Sequence, residues 1–303
     1  MATIYGTSHY SYVAGRYHSI ANADTLYGTS SGDYIDAGGN NDYVYTGAGN
    51  DAVHGGYGDD VLSTLGTSAH TGNDYVYGEA GNDRIIYSYS YDSQHLFGDS
   101  AGLSIADGND TIYSGYGSDY IYGGGGHDTV FGGAGNDVIY GDLPGNLGTG
   151  NDTIDGGAGG DSIYGGAGDD RIQGGADGDW LSGGVGTDTF VFNNGDSRLT
   201  WETADTIMDF NRTYDWLDMP VVGTSANFVS GPFTSSHYTS HDDMNDAYHA
   251  TFSMGQLGTQ YAFVTDGHNG YLFANTNGTA GFDTGVELLG LTSVNDLRYY
   301  DII

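Results

Sequence analysis

Apolar residues recur along this chain at a nine-residue interval, and each stands two positions after an aspartate. Fifteen aspartates share this register, and eleven of the fourteen steps between them are nine residues long. A fixed repeat of this length indicates stacked units, each adding a short strand whose central side chain points inward. The aspartates are Asp33, Asp42, Asp51, Asp60, Asp74, Asp83, Asp110, Asp119, Asp128, Asp137, Asp152, Asp161, Asp170, Asp179 and Asp188. The apolar residues are Ile35, Val44, Val53, Leu62, Val76, Ile85, Ile112, Ile121, Val130, Ile139, Ile154, Ile163, Ile172, Leu181 and Phe190.

A glycine-rich turn precedes most of these aspartates, and its chemistry predicts a metal site. The clearest turn is residues 132–137, Gly-Gly-Ala-Gly-Asn-Asp. Glycine adopts backbone angles that other residues avoid, so carbonyl oxygens can converge while the aspartate adds a carboxylate. A flexible cage made only of oxygen atoms favours Ca²⁺ over Mg²⁺ or Zn²⁺. Because one unit cannot bury its apolar residue alone, the units must stack.

The charge of the chain makes cations its natural partners. The sequence has 40 acidic residues against six arginines and no lysine, a formal net charge of −34. Nucleic acid and anionic membranes need a basic surface, so both are poor partners for this chain. With 55 glycines as well, the crowded carboxylates predict a chain that folds only once a metal neutralises them. Cysteine is absent, so stability must come from bound metal rather than from disulfides.

Three segments are predicted. Residues 1–26 form a short lead-in with a degenerate first rung around Asp24, residues 27–191 form the repeat array, and residues 192–303 form a terminal cap that covers the open end of the stack. Met1–Ile20 lacks the basic and apolar regions of a secretory signal peptide, and no stretch has the length of a transmembrane helix.

Three insertions interrupt the array, and longer turns of this kind normally lie on the surface. Leu62–Asn73 and Gly141–Asn151 lengthen single turns, whereas Ile86–Asn109 replaces two rungs with irregular sequence. Within the last of these, Tyr87, Tyr89 and Tyr91 alternate with serines and predict a strand with one tyrosine face, a candidate partner surface.

The cap is predicted to be mostly β-structure. Strand-like apolar runs occupy Thr206–Phe210, Tyr261–Thr265, Gly270–Phe273 and Val286–Leu291. Ser240–Met254 is predicted to be the one helix, because its apolar residues recur at helical spacing.

The repeat Gly-Gly-x-Gly-x-Asp-x-U-x, in which U is apolar, resembles the nonapeptide of the RTX (repeats-in-toxin) proteins. Clear matches occupy residues 123–128, 156–161 and 165–170, the last reading Gly165, Gly166, Ala167, Gly168, Asp169 and Asp170. The resemblance implies an all-β fold, a parallel β-roll in which two nonapeptides make one right-handed coil. It also implies Ca²⁺ between turns that lie two repeats apart on the same edge, with roughly ten ions in all.

The resemblance further implies the ligands of each ion. One turn would supply the carbonyl oxygens of its second and fourth positions together with its aspartate. The turn two repeats later would supply the carbonyl oxygens of its first and third positions together with its own aspartate. One site would join Gly115, Gly117 and Asp119 to Gly132, Ala134 and Asp137. A second would join Gly157, Gly159 and Asp161 to Gly174, Ala176 and Asp179. A third would join Gly166, Gly168 and Asp170 to Gly183, Val185 and Asp188.

The tail resembles the C-terminal cap of serralysin-type metalloproteases, through residues 188–192, 205–210, 271–278 and 286–291. The final Asp301-Ile302-Ile303 is similar to the uncleaved signal that type I secretion systems read. The resemblance implies a bacterial protein that is exported unfolded and folds in the calcium outside the cell or at its surface.

No constellation of residues predicts an enzyme. The chain has no His-Glu-x-x-His, so zinc protease activity is excluded. Gly28–Gly32 fits the G-x-S-x-G pattern, but these residues occupy the turn before Asp33 rather than a strand-to-helix elbow. His237 and His241 could share a helix face but lack a third ligand, and His127 is expected to be solvated.

The function is therefore predicted to be structural or binding, and its partner stays open. Six tyrosines that follow inward residues should point outward and stack along the sheet, either as simple packing or as a surface for glycans or self-association. The alternatives are a surface or matrix component similar to RTX adhesins that assembles with itself, a free-standing polysaccharide-binding module similar to the R-modules of alginate epimerases, and a small secreted effector of the nodulation type. The tyrosines are Tyr45, Tyr77, Tyr113, Tyr122, Tyr140 and Tyr164.

Overall fold

The computed structural model describes residues 3–5, 23, 25–64, 71–99, 108–143, 148–193, 196–197, 203–220, 228–232, 261–265, 268–275, 282–293 and 295–303. The chain divides into two units, Met1–Ile154 and Asp155–Ile303. Asp24, the predicted helix Ser240–Met254, and His237 and His241 lie outside the described residues. Leu26 of the predicted first rung lies in a described strand and is buried.

The first unit is a parallel β-roll. Successive strands join opposite sheets, so that two strands and two turns make one coil. One sheet has the order β1-β3-β5-β7-β9-β11-β13, and the other contains β2-β4-β6-β8-β10-β12. The strands are β1 (Thr3–Tyr5), β2 (Thr25–Tyr27), β3 (Tyr34–Asp36), β4 (Tyr43–Tyr45), β5 (Ala52–Tyr57), β6 (Val61–Ser63), β7 (Tyr75–Ala80), β8 (Arg84–Ile86), β9 (His95–Phe97), β10 (Thr111–Tyr113), β11 (Tyr120–Gly124), β12 (Thr129–Ala134) and β13 (Val138–Asp142).

The register of the strands follows the sequence repeat. Ile112 pairs with Val130 on one sheet and Ile121 pairs with Ile139 on the other, each in parallel. The central side chain of each rung enters the coil, and each of the fifteen predicted apolar residues is at most 1% exposed. Each strand pair is thus held by inward packing as well as by backbone hydrogen bonds, which confirms the predicted parallel β-roll.

The middle of the first unit differs from its prediction. Within Ile86–Asn109, β9 forms a complete rung that pairs in parallel with β7 and β11 and buries Leu96. The predicted strand through Tyr87 and Tyr91 is wrong, because this stretch forms a turn. Tyr87 is fully buried, whereas Tyr89 and Tyr91 are 47% and 64% exposed, so the three tyrosines do not share one face.

The second unit continues the same strand pattern and ends in a mixed sheet. The strand β14 (Thr153–Ala158) spans the boundary of the units. One sheet has the order β15-β17-β19-β24-β23-β22-β21, and β16, β18 and β20 lie in the other. The strands are β15 (Ser162–Ala167), β16 (Arg171–Ala176), β17 (Trp180–Val185), β18 (Thr189–Val191), β19 (Asp205–Ile207), β20 (Trp216–Asp218), β21 (Phe228–Pro232), β22 (Tyr261–Thr265), β23 (Asn269–Ala274) and β24 (Thr284–Leu289).

The end of the second unit closes its core. The strand β23 is antiparallel to both of its neighbours, β22 and β24, and these strands bury Phe263, Tyr271 and Phe273 completely or nearly so. The four predicted strand runs of the cap are confirmed, with ends shifted by a few residues. The chain terminus docks on β20, where Ile303 N donates to Leu217 O at 2.9 Å. In the described part of the chain, no helix has the length and apolarity that crossing a membrane requires.

Candidate metal centre

The repeat aspartates form a ladder along the turns of each coil. All fifteen are at most 2% exposed. The backbone N–H of one ladder residue donates to Oδ1 of its counterpart in the next coil, as from Asp60 to Asp83 at 2.7 Å and from Asp128 to Asp152 at 2.8 Å. The same bond joins Asp161 to Asp179 at 2.8 Å and continues beyond the predicted array from Asp179 to Asp205. One carboxylate oxygen of each rung therefore holds adjacent coils together.

The second carboxylate oxygen, Oδ2, lacks the hydrogen bond that Oδ1 accepts in several of these aspartates. Oδ2 of Asp51, Asp60, Asp83, Asp110 and Asp128 is buried and accepts no hydrogen bond. A buried carboxylate oxygen without a partner costs several kcal/mol unless a cation or a proton neutralises it. These atoms thus mark where positive charge is missing from the polypeptide itself.

A carbonyl oxygen from the next coil converges with this second oxygen in front of a glycine. A Cβ placed on Gly55 would lie 2.5 Å from Oδ2 of Asp60 and 2.6 Å from the carbonyl oxygen of Gly78. Both contacts are too close for a methyl group, so only glycine leaves the two oxygens room to face a common point. Oxygens that converge in this way suit Ca²⁺, which takes six to eight oxygen ligands at about 2.3–2.6 Å.

The same convergence recurs in both units, always four residues after a ladder residue. In the second unit, Gly156 and Gly165 face the aspartate oxygens of Asp161 and Asp170, together with the carbonyls of Gly174 and Gly183. In the first unit it is repeated at Gly78 with Asp83 and Gly98, at Gly98 with Asp110 and Gly123, and at Gly123 with Asp128 and Gly141.

Burial makes these carboxyls hard to ionise in the absence of a cation. Desolvation raises the pKa of Asp60 to about 8, of Asp110 to about 9 and of Asp128 to about 8. The backbone N–H that each carboxyl accepts lowers its pKa, and neighbouring carboxylates raise it, but the burial effect is the largest. A divalent ion would favour the charged form instead.

Two of the three predicted ligand sets show this convergence. The carbonyl of Gly174 meets Oδ2 of Asp161, and the carbonyl of Gly183 meets Oδ2 of Asp170. The third-position carbonyls of these sets are used within the backbone, since Ala176 O and Val185 O accept the N–H groups of Gly159 and Gly168 at 2.9 Å each. The carbonyls of Gly157, Gly166 and Gly168 lie against the glycines that follow in the next coil.

The predicted set at Asp119 is assembled differently. Gly133 and Gly135 have φ of +98° and +129°, and a Cβ on either would collide with the carbonyl oxygen of Gly115 or Gly117. Gly115 O accepts the N–H of Ala134 at 2.8 Å. The carbonyl of Gly132, which should face the open space beside Asp119, accepts the hydroxyl of Ser114 instead.

Sequence reasoning missed three members of the ladder. Gln94 takes the place of an aspartate, because its Oε1 accepts Asp74 N at 3.0 Å and its own N–H donates to Asp119 Oδ1 at 2.7 Å. Asp205 and Asp215 extend the ladder past residue 191 by accepting the N–H groups of Asp179 and Asp188. The apolar residues two positions later, Leu96, Ile207 and Leu217, carried the signal that could have found them.

The site is built from backbone carbonyls and single carboxylates rather than from a side-chain cluster. Within the described ranges, no three His, Cys, Asp or Glu side chains gather as a metal-binding group. Unpartnered buried oxygens, a glycine cradle and an all-oxygen donor set fit Ca²⁺ and do not fit zinc or another soft ion.

This geometry defines a parallel β-roll with oxygen-rich turns. The model of the RTX calcium-binding nonapeptide repeat (4 copies) matches residues 20–53, 41–66, 68–87, 106–142, 147–179 and 164–199, just over half of the chain. The chain belongs to the family of proteins with RTX calcium-binding nonapeptide repeats.

Two solved structures from the mannuronan C5-epimerase of Azotobacter vinelandii are also similar. The AlgE6R3 subunit is 24% identical over 67% of this chain and 83% of its own, with a TM-score of 0.34. The AlgE6R2 subunit is 27% identical over 58% of this chain and 90% of its own, with a TM-score of 0.37. At these TM-scores the likeness supports no inference about function. No curated protein shows significant similarity to the chain.

Proposed function

We propose that this protein is a secreted, non-catalytic β-roll whose folding is driven by Ca²⁺ and which serves as an extracellular surface or matrix component. The observation that carries the proposal is the convergence of Asp60 Oδ2 and the Gly78 carbonyl in front of Gly55, repeated along the coils. The family supports calcium binding, and the repeats leave no room for a catalytic domain in residues 27–191.

The proposed ligands are the fifteen repeat aspartates and the turn carbonyls that face them. Bound Ca²⁺ supplies the positive charge that the buried carboxylates lack. An aspartate such as Asp60 then does two things at once, because its Oδ1 accepts the backbone N–H of Asp42 in the neighbouring coil while its Oδ2 faces the ion. Metal binding is thereby coupled to the pairing of coils, and the free energy of binding contributes to folding.

The ends of the chain suit export. Residues 1–26 are proposed as a lead-in, and residues 192–303 as a cap that also carries a signal for type I secretion. Ile302 is 1% exposed and therefore packed once the chain is folded, whereas Ile303 donates its backbone N–H to Leu217 O but leaves its side chain 42% exposed. Asp301 and Ile302 would be accessible only in the unfolded chain, which suits export at low calcium and folding outside.

The aromatic exterior supports a role in assembly. Tyr77, Phe97, Tyr122 and Tyr140 form a continuous stack with ring centroids 4.7–5.0 Å apart. The predicted stacking is also present from Tyr45 to Tyr27 and from Tyr113 to Phe131. These rings are partly covered by their neighbours, so they also stabilise the sheet.

A second row of stacked aromatic rings favours an alternative function, the binding of polysaccharide. Tyr75 and Tyr120 are each 46% exposed and stack on His95 at 4.4 Å and 5.2 Å. A flat row of exposed rings can stack against sugar rings as well as against another copy of the chain. A small secreted effector remains a further alternative without a specific structural feature in its favour.

Calcium titration tests the shared premise. Far-UV circular dichroism of metal-free protein should show little β-structure, and Ca²⁺ should restore it cooperatively where equal Mg²⁺ does not. Equal β-structure before and after exhaustive chelation would refute the proposal.

The role outside the cell needs a separate experiment. Sedimentation and electron microscopy in calcium should reveal filaments or a lattice that are lost in Tyr75→Ala/Tyr120→Ala. If both proteins stay monomeric and only the parent binds an immobilised neutral polysaccharide, the alternative is favoured. The buried-face variant Ile121→Val serves as a control that leaves both exposed rings in place.

A further inference from the structure

The two edges of the first unit carry different residues at the position where a cradle glycine is expected. We use the name glycine edge for the turns that hold Gly55, Gly78, Gly98 and Gly123. We use the name plugged edge for the turns that hold Thr46, Thr64, Tyr87 and Ser114, each four residues after a repeat aspartate on the opposite edge. These four side chains are at most 5% exposed, so they fill the interior of the turns rather than extending into solvent.

Gln94 shows what replaces an ion on the plugged edge. Its side-chain nitrogen Nε2 lies 2.9 Å from the carbonyl oxygen of Gly72, 2.8 Å from that of Asp92 and 2.9 Å from the hydroxyl of Ser90. The two carbonyls belong to the fourth positions of two turns in adjacent coils. An amide N–H group thus gathers oxygens that a repeat aspartate would leave for a cation, and the amide brings no charge that needs neutralising.

Ser114 makes the same replacement one coil later. Its hydroxyl donates to the carbonyl oxygen of Gly132, the atom that would face an ion beside Asp119. The hydroxyl also lowers the pKa of Asp119, which burial raises only to about 6, although Oδ2 of Asp119 makes no hydrogen bond of its own. A serine side chain stands where Gly123 leaves open space on the other edge.

Tyr87 fills the interior of the turn one coil before the turn that holds Ser114. Its phenol ring is fully buried, and so is the side chain of Thr46 on the same edge. A phenol ring of this size, together with Thr46, occupies the turn interior between the coils. Oδ2 of Asp51 accepts no hydrogen bond, as is also the case at Asp119.

We propose that the turns of the plugged edge that hold Tyr87, Gln94 and Ser114 bind no calcium, and that these side chains are internal substitutes for the ions of the glycine edge. The inference rests on the proposed calcium binding. It implies fewer ions than the roughly ten that the repeat count predicts. It also implies that coil pairing on this edge does not require calcium.

Exchanging the residues of two successive turns tests the inference. Ser114 and Gly123 occupy the same repeat position on opposite edges, and Gly123 does not have a positive φ, so serine can adopt its backbone conformation. Ser114→Gly opens space for an ion beside Asp119, and Gly123→Ser fills the corresponding space beside Asp128. Native mass spectrometry of the full chain in saturating calcium counts the bound ions directly, and circular dichroism checks that each variant is folded.

The expected results are one additional ion for Ser114→Gly, one fewer for Gly123→Ser, and the parent count for the double variant. Ser114→Ala, which removes the hydroxyl but keeps the space filled, should leave the count unchanged and serves as the matched control. An unchanged or lower count in folded Ser114→Gly would overturn the inference even if Gly123→Ser fails to fold. A parent chain without bound calcium would instead overturn the proposed function.

Discussion

The two edges of the first unit share one backbone design and differ in what fills it. On both edges each ladder residue accepts the N–H of its counterpart one coil earlier, as Asp83 does from Asp60 and Asp119 does from Gln94. On the glycine edge the space beside the carboxylate stays open, whereas on the plugged edge side chains occupy it. A ladder of buried aspartates therefore does not by itself define an ion site. The residue four positions after the ladder residue decides whether an ion has room.

The largest expected effect is a pH dependence of folding in the calcium-free chain, led by three carboxyls of the glycine edge. Burial raises the pKa of Asp60, Asp110 and Asp128 on the glycine edge to about 8–9, well above the ordinary value of 3.8. The folded chain therefore binds more protons than the unfolded chain between these values, so its stability falls as the pH rises through this window. On the plugged edge the pKa is about 6 for Asp119 and about 7 for Asp51 and Asp74, so these carboxyls should ionise at lower pH. Asp83 on the glycine edge, with a pKa of about 7, should ionise in the same range as these.

Circular dichroism of metal-free protein checks this expectation. Ellipticity at about pH 5.5 should indicate more β-structure than at about pH 8.5, and saturating calcium should abolish the difference. Greater β-structure at the higher pH without calcium would show that these carboxyls ionise freely in the fold.

Removing one carboxylate charge should have the next largest effect, and only on the glycine edge. Asp128→Asn keeps an oxygen that can accept the N–H of Asp110, a bond of 2.7 Å, but loses the charge that faces Gly123. We expect the calcium midpoint of folding to rise by about tenfold, because ligand charge tunes calcium affinity.

Asp119→Asn is the matched change on the plugged edge. It should shift the calcium midpoint by about twofold at most, since no ion is expected there. Fluorescence-monitored calcium titration of both variants measures the difference, and equal shifts would remove the distinction between the edges.

A methyl group added to a glycine that faces an aspartate oxygen and a carbonyl oxygen should have a smaller effect. It should lower the free energy of unfolding through steric strain and through loss of the ion. In Gly55→Ala the new Cβ would lie 2.5 Å from Asp60 Oδ2 and 2.6 Å from Gly78 O. Overpacking of this kind costs about 1–3 kcal/mol even where the neighbours can shift. Denaturant unfolding in saturating calcium measures the loss. Gly160→Ala is the control, because its Cβ would meet Gly178 O at a milder 3.1 Å.

Much of this fold follows from the sequence because its register is unambiguous. An aspartate followed by an apolar residue two positions later fixes both the turn and the inward side chain, as at Asp137 and Ile139. The rung at Gln94 and Leu96 was not predicted, because glutamine replaces the charged residue that defined the pattern. Its amide keeps the backbone acceptor of the ladder, so the coil continues although the repeat is not recognisable.

The residues that distinguish the two edges are visible in the sequence, but the strand order is needed to assign them to one edge or the other. Thr46, Tyr87 and Ser114 interrupt the glycine pattern at irregular places along the chain. Only when alternate repeats are assigned to opposite edges do they fall on one edge and Gly55 and Gly123 on the other. The burial of Tyr87 could not be predicted from its local pattern. Its alternation with serine resembles a strand, whereas its burial depends on how the turn folds around it.

The smallest expected effect comes from removing a substitute rather than an ion. Gln94→Met keeps the volume of the side chain but leaves the carbonyls of Gly72 and Asp92 without the amide N–H, and Asp74 N without its ladder acceptor. Lost hydrogen bonds to buried groups destabilise by about 1–3 kcal/mol, so the denaturant midpoint in saturating calcium should fall. The number of bound ions should stay the same, because methionine is a poor calcium ligand. Gln173→Met is the control, since the amide of Gln173 makes only a 3.4 Å contact with Asp196. A loss of one ion in Gln94→Met, but not in Gln173→Met, would mean that the plugged edge holds calcium after all.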